Sequence, residues 1–207
     1  MGTVGTDTTK PPRRGYELGK RLDQMDRSRG AILRAARAQL EEQGYRRMTM
    51  TTLAAESGIT RQTVHNLFGT KAAVLEALFD VIALDGGMED MREAMTQASP
   101  DAMLERFVEV FCRFWASNRL LLRRVHGIGA IDPEFGEVIE ARNQRRVMAA
   151  TRVVSRWGIR QDAKQRAAAL AALTSFEFFD SLAGSGLDEG QAQAQILELA
   201  RRVLGSG

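Results

Sequence analysis

Arg61, Gln62, Thr63, His65 and Asn66 fall within one short stretch of the chain, and each carries groups that hydrogen-bond nucleic acid. Arginine pairs bidentately with guanine and glutamine with adenine, while hydroxyl, imidazole and amide groups reach phosphates or base edges. Val64 and Phe68 stand four apart in the same stretch, so a helix there has one apolar edge and turns the polar groups outward. Thr60 precedes the stretch as an N-cap and leaves the helix's positive end open to a phosphate. Upstream, Thr49 caps another short helix, and Ala54 is small enough for close helix crossing. Gly58 supplies the left-handed turn residue that ends that helix, and Ile59 offers an apolar anchor for the corner. Lys71 opens a third helix and adds a cation. The pattern predicts a helix-turn-helix. Thr49, Thr60, His65 and Lys71 are expected at phosphates, Arg61, Gln62 and Thr63 at bases, and Asn66 on the same exposed face.

The run Thr49-x-x-x-Leu53-Ala54-x-x-Ser57-Gly58-Ile59-Thr60-x-x-Thr63-Val64-x-x-x-Phe68-x-Thr70-Lys71 resembles the DNA-binding domain of the TetR family of bacterial transcriptional regulators. The resemblance begins near Arg29, in a helix carrying Ile32, Leu33, Ala36 and Leu40, and runs to about Leu78. The family usually has tyrosine in place of His65, histidine in place of Leu67, and proline or a small residue in place of Gln62. Those departures bear on the target sequence, not on the fold. The resemblance implies a homodimer on a palindromic operator, acting as a repressor. It also implies an effector cavity among the middle helices, and a dimer interface made by the last two long helices.

Charge is divided in the same way. Residues 1–71 hold 13 Lys and Arg against 7 Asp and Glu, whereas residues 72–207 hold 16 against 19. The positive excess coincides with the helix-turn-helix, as phosphate binding requires. The single cysteine, Cys112, excludes an intramolecular disulfide and fits a reducing cytoplasm; its apolar surroundings in sequence predict an inert thiol. No apolar run approaches membrane-spanning length, so a cytoplasmic protein without a membrane partner is expected. His65 and His126 are the only histidines, and no HExxH, CxxC or EF-hand pattern is present. Neither a metal nor another cofactor is expected. No nucleophile, base and orienter can be assembled, so the chain is read as a non-enzyme.

The organisation expected is a flexible basic arm over 1–27, a helix-turn-helix domain over 28–71, and an effector-binding and dimerisation domain over 72–207. The arm carries Lys10, Arg13, Arg14, Lys20 and Arg21, positioned to lie along DNA or to act as a passive tail. Beyond Lys71 the 3–4 spacing of apolar residues continues with no strand pattern. This gives an all-α chain of about nine helices, including long ones over 161–183 and 188–204 and a short one from Arg119 that breaks at Gly127-Ile-Gly129. The segment from Ala167 to Phe176 is apolar or small on every side, which calls for burial on more than one face.

Met103, Phe107, Phe111, Trp115, His126 and Phe178 are the residues expected to line an effector site, and each also fits an ordinary core or surface position. Arg123, Arg142 and Asn143 are further polar candidates, although Arg142-Asn-Gln-Arg-Arg146 reads mainly as a solvated helix face. Such a lining predicts a small, largely apolar effector. Two other functions remain open from sequence. One is an architectural DNA-binding protein without an effector, and the other is a helical enzyme or carrier with a DNA-binding module.

Overall fold

A computed structural model of the chain describes residues 13–42 and 44–205, with side chains described from residue 19 onward. Among the described residues there are eleven α-helices, a one-turn 3-10 helix and no strand. None of these helices is long and apolar enough to cross a membrane. The chain forms two compact units that divide within one helix, between Val74 and Leu75.

The first unit is built from α1 (Arg13–Glu42), α2 (Met50–Ser57), α3 (Arg61–Phe68) and the first turn of α4 (Lys71–Asp85). Its core is small: Ile32, Leu33, Ala36 and Leu40 of α1 meet Met48, Leu53, Ala54, Val64 and Phe68, all buried. The first helix is longer than sequence periodicity implies. Residues 13–27, read as part of a flexible arm, belong to α1, while Lys10 lies outside the described residues. Lys20 to Arg27 are all exposed, and the buried stripe begins only at Ser28. Residues 19–27 carry no proline and no buried residue, and hydrophobic periodicity marks only helices with a packed face.

The second unit contains the rest of α4, the 3-10 turn Met88–Asp90, α5 (Met91–Ala94), α6 (Pro100–Ser117), α7 (Arg119–Gly129), α8 (Pro133–Arg156), α9 (Ala163–Leu173), α10 (Phe176–Gly184) and α11 (Glu189–Gly205). Helix α6 is the hub, burying Leu104, Phe107, Val108, Phe111, Phe114 and Trp115. It packs against α5, α7, α8, α10 and α11. Ser99 caps α6 and Pro100 occupies its first turn, where the missing N–H is not needed. Helix α4 stops at Gly87, whose φ of 74° suits glycine. At the neighbouring Gly86, a Cβ would stand 2.6 Å from the Phe114 ring.

Two helix boundaries differ from expectation. The helix expected over 161–183 is two helices, α9 and α10, interrupted at Thr174–Ser175. Thr174 turns its hydroxyl back to the carbonyl of Leu170 at 2.9 Å, and Ser175 accepts from the N–H of Phe178 at 3.2 Å as the cap of α10. A threonine that bonds backwards followed by a capping serine ends one helix and starts another. Conversely, α7 runs through Gly127 to Gly129 instead of breaking there. Neither glycine adopts a left-handed conformation, and Gly129 lies against Ile139 of α8, where close approach favours a missing side chain.

Candidate nucleic-acid interface and ligand cavity

In α2, Thr49 and Thr52 form a reciprocal capping box. The Thr52 N–H donates to the Thr49 hydroxyl at 3.1 Å, and the Thr49 N–H donates to the Thr52 hydroxyl at 2.9 Å. Thr52 also donates to Oε1 of Gln39 at 3.0 Å, and Gln39 Nε2 donates to Glu56 at 2.6 Å. Gln39 is 2% exposed, so this chain of bonds fixes α2 on α1 through a satisfied buried amide. Gly58 then turns the backbone at φ 69°. Thr60 accepts from the N–H of Thr63 and opens α3.

Val64 and Phe68 are buried beneath α3, and the Arg29 guanidinium lies 4.8 Å from the Phe68 ring centre. On the opposite side Arg61, Gln62, His65 and Asn66 are exposed, with Thr63 partly covered. Gln62 Nε2 donates to Oδ1 of Asn66 at 2.9 Å, which pre-orients both amides along one helix edge. Thr49 and Thr60 are exposed at the two helix starts. Lys71 is more constrained: its ammonium sits 3.4 Å from the Tyr45 ring centre and donates to the Tyr45 carbonyl at 3.4 Å.

The second unit contains a cavity of about 300 Å³. Phe79 and Ala83 of α4, Met88, Met91, Phe111, Phe114 and Trp115 supply apolar walls, and Asp80, His126, Arg142, Asn143, Arg145 and Arg146 supply polar groups. Phe111 and Trp115 stack at 5.9 Å, and the His126 ring meets Trp115 edge-on at 6.0 Å. Trp115 donates its indole N–H to the Thr174 carbonyl at 3.0 Å, so the α9–α10 break holds the cavity's largest aromatic ring. Of the residues expected to contact an effector, Phe111, Trp115 and His126 line this cavity. Met103 and Phe107 are buried in the core outside it. Phe178 lies instead in a shallow apolar groove with Ala169, Ala172, Leu173, Leu199 and Val203. Arg123 is tied to Asp180 at 2.7 Å and is absent from the cavity wall.

Residues 32–78 match the family model for bacterial regulatory proteins of the tetR family. Over those residues the chain is similar to tetR-family regulators. It is 28% identical over 132 residues to the HTH-type transcriptional regulator EthR of Mycolicibacterium smegmatis, a match covering 63% of this chain and 60% of that relative, under two thirds of its length. Its fold is also that of a TetR-like transcriptional regulator from Rhodococcus sp. RHA1, with a TM-score of 0.66 at 22% identity, covering 87% of this chain and 97% of the other. A SmeT–triclosan complex shares the fold with a TM-score of 0.65 at 21% identity, covering 84% and 90%.

The cavity residues that sequence reading passed over are chiefly Arg145 and Arg146. Their run reads as a charged helix face, and only the packing of α8 against α6, α7 and α9 turns part of that face inward. Cys112 is buried, and burial pushes its thiol up to about 12, which leaves it protonated and unreactive at neutral pH. Among the described residues no cluster of His, Cys, Asp and Glu could hold a metal ion.

His126 also ties the cavity wall to α10, its Nδ1 lying 2.8 Å from the Glu177 carboxylate. That hydrogen bond is the main reason the Glu177 carboxyl falls from 4.5 to about 2, helped by the charge of Arg146. A depressed acid pKa contributes stability that is present above the unfolded value and lost as pH falls toward the folded one. Glu177→Gln should therefore melt below wild type at pH 6, and the difference should vanish as pH falls from 4.5 toward 2. Melting curves of both proteins across that range check this. A pH-independent difference would mean that the ionised Glu177 carboxylate is not its source.

Proposed function

We propose that this chain is a ligand-responsive transcriptional repressor that binds a palindromic DNA operator as a homodimer. The observation carrying this reading is the pairing of two features in one chain. An α2–turn–α3 unit has its apolar edge buried and its amide, guanidinium and imidazole groups exposed, and a separate helical unit encloses a cavity of small-molecule size. Phosphate contacts from Thr49, Thr60, His65 and Lys71 would position α3, and Arg61, Gln62 and Thr63 would read bases, with Asn66 orienting Gln62. The cavity favours this reading over an effector-free architectural protein.

The groove of Ala169, Ala172, Leu173, Phe178, Leu199 and Val203 supports dimerisation through α9, α10 and α11, because an identical copy would cover apolar surface there. A ligand in the cavity would favour an arrangement of the dimer in which the two recognition helices no longer match half-sites roughly 34–36 Å apart. A coupling of about 1–3 kcal/mol between the two sites is enough for regulation. The chain passes from one unit to the other inside α4, and Phe79 and Asp80 of that helix line the cavity.

Selection of bound duplexes from a random library, followed by footprinting and sizing of the complex, tests this directly. The expected result is an inverted repeat with half-sites one or two helical turns apart, occupied by two chains. A library that converges on no sequence, or on a single asymmetric site bound by one chain, would remove the operator reading.

A further inference from the structure

Arg146 stands apart from the other cavity cations. Its Nε is buried with no hydrogen-bond partner, as is that of Arg142. Arg142 is otherwise engaged: it meets Asp80 at 2.6 Å and lies 4.3 Å from the Phe79 ring centre. Arg146 makes no hydrogen bond or ion pair among the described residues. Burial lowers its pKa, with Glu177 and Glu140 only partly offsetting this from a distance. A guanidinium whose Nε is buried without a partner is unfavourable in a finished core, and it is an arrangement that a bound anion would complete. The cavity wall carries three arginines against one aspartate, and that aspartate is already held by Arg142. Apart from His126 and Asn143, the remaining wall is aromatic, aliphatic and thioether surface, which would exclude a multiply charged ligand.

We infer that the cavity binds a small monocarboxylic acid with an aromatic or aliphatic body, its carboxylate held by Arg146 and its body packed between Phe111, Trp115 and Met88. This rests on the effector reading proposed above and narrows it from an apolar ligand to an amphipathic anion. A planar guanidinium grips a carboxylate through two parallel hydrogen bonds. Asn143, on the same helix and in the same wall, supplies an amide donor beside it. At about 300 Å³ the space suits one or two rings or a short chain.

Calorimetry and thermal-shift assays on the full chain test the assignment with 4-phenylbutyrate, 2-naphthylacetate and octanoate, each beside its neutral primary amide. At least one acid should bind wild type about tenfold or more tighter than its own amide. Arg146→Gln and Arg146→Met should erase that preference while leaving amide binding unchanged, and Arg146→Lys should keep part of it. Without ligand, Arg146→Met should melt above wild type, because it removes a partly buried cation whose Nε has no partner. Amides that bind as tightly as the acids, or acids whose affinity is indifferent to Arg146, would overturn the anionic assignment and leave a neutral effector in place. Failure of both series to bind at millimolar concentration would overturn the assignment.

Discussion

Arg61→Ala is expected to lower operator affinity by roughly 5- to 150-fold, the equivalent of about 1–3 kcal/mol for one bidentate base contact. Arg61 is the first residue of α3, exposed and without a hydrogen bond among the described residues. It can meet a guanine without breaking anything in the free protein. Gln62→Ala should give a smaller loss confined to one base pair in each half-site, since Gln62 and Asn66 already hold each other at 2.9 Å and part of that ordering is lost with the amide. Lys71→Ala should behave differently from both. It should weaken every sequence alike and reduce the salt dependence by about one counterion, and it should also destabilise the unit that loses the ammonium over Tyr45. Binding titrations on the selected site, on single-base variants and on random duplex, each at several salt concentrations, separate these patterns. Equal losses on specific and random DNA for Arg61→Ala would make Arg61 a phosphate contact.

The helix-turn-helix was legible because its signals are local. A cap, a left-handed glycine and an apolar pair four apart act within a turn or two of backbone, so Thr49, Gly58, Thr60, Val64 and Phe68 state their conformations almost independently of the rest of the chain. The cavity was less legible because its wall comes from α4, α5, α6, α7 and α8 and the turn at Met88. Phe111 and Phe107 have the same chemistry and lie on the same helix, yet one faces the cavity and the other the core. Arg142 and Arg146 read as solvent-facing because long cations usually are, and nothing local reports that neighbouring helices will cover them. The break between α9 and α10 was written in Thr174 and Ser175, but an apolar run on either side outweighed two hydroxyls in a periodicity reading. Residues 19–27 of α1 were hidden for the opposite reason, having no buried stripe to find.

The misplacement of Phe107 sets up the largest expected effect on stability. Its side chain is 0% exposed, and its ring packs edge-to-face on Phe111 with centres 5.1 Å apart. Truncation to alanine removes that contact and leaves a void in the helix that packs against five others, a change that costs about 3–5 kcal/mol in comparable cores. For a chain of this size the melting temperature should fall by roughly 6–20 °C, out of a total stability on the order of 5–15 kcal/mol. Phe111→Ala should cost less, because one side of that ring already faces open space and has fewer atoms to lose. Its main effect should fall on ligand affinity, with operator affinity retained, since Phe111 belongs to the unit from Leu75 onward. Thermal unfolding of the two variants, with and without a bound acid, distinguishes core from cavity wall. Phe107→Ala that melts like wild type but no longer responds to ligand would return Phe107 to the binding site.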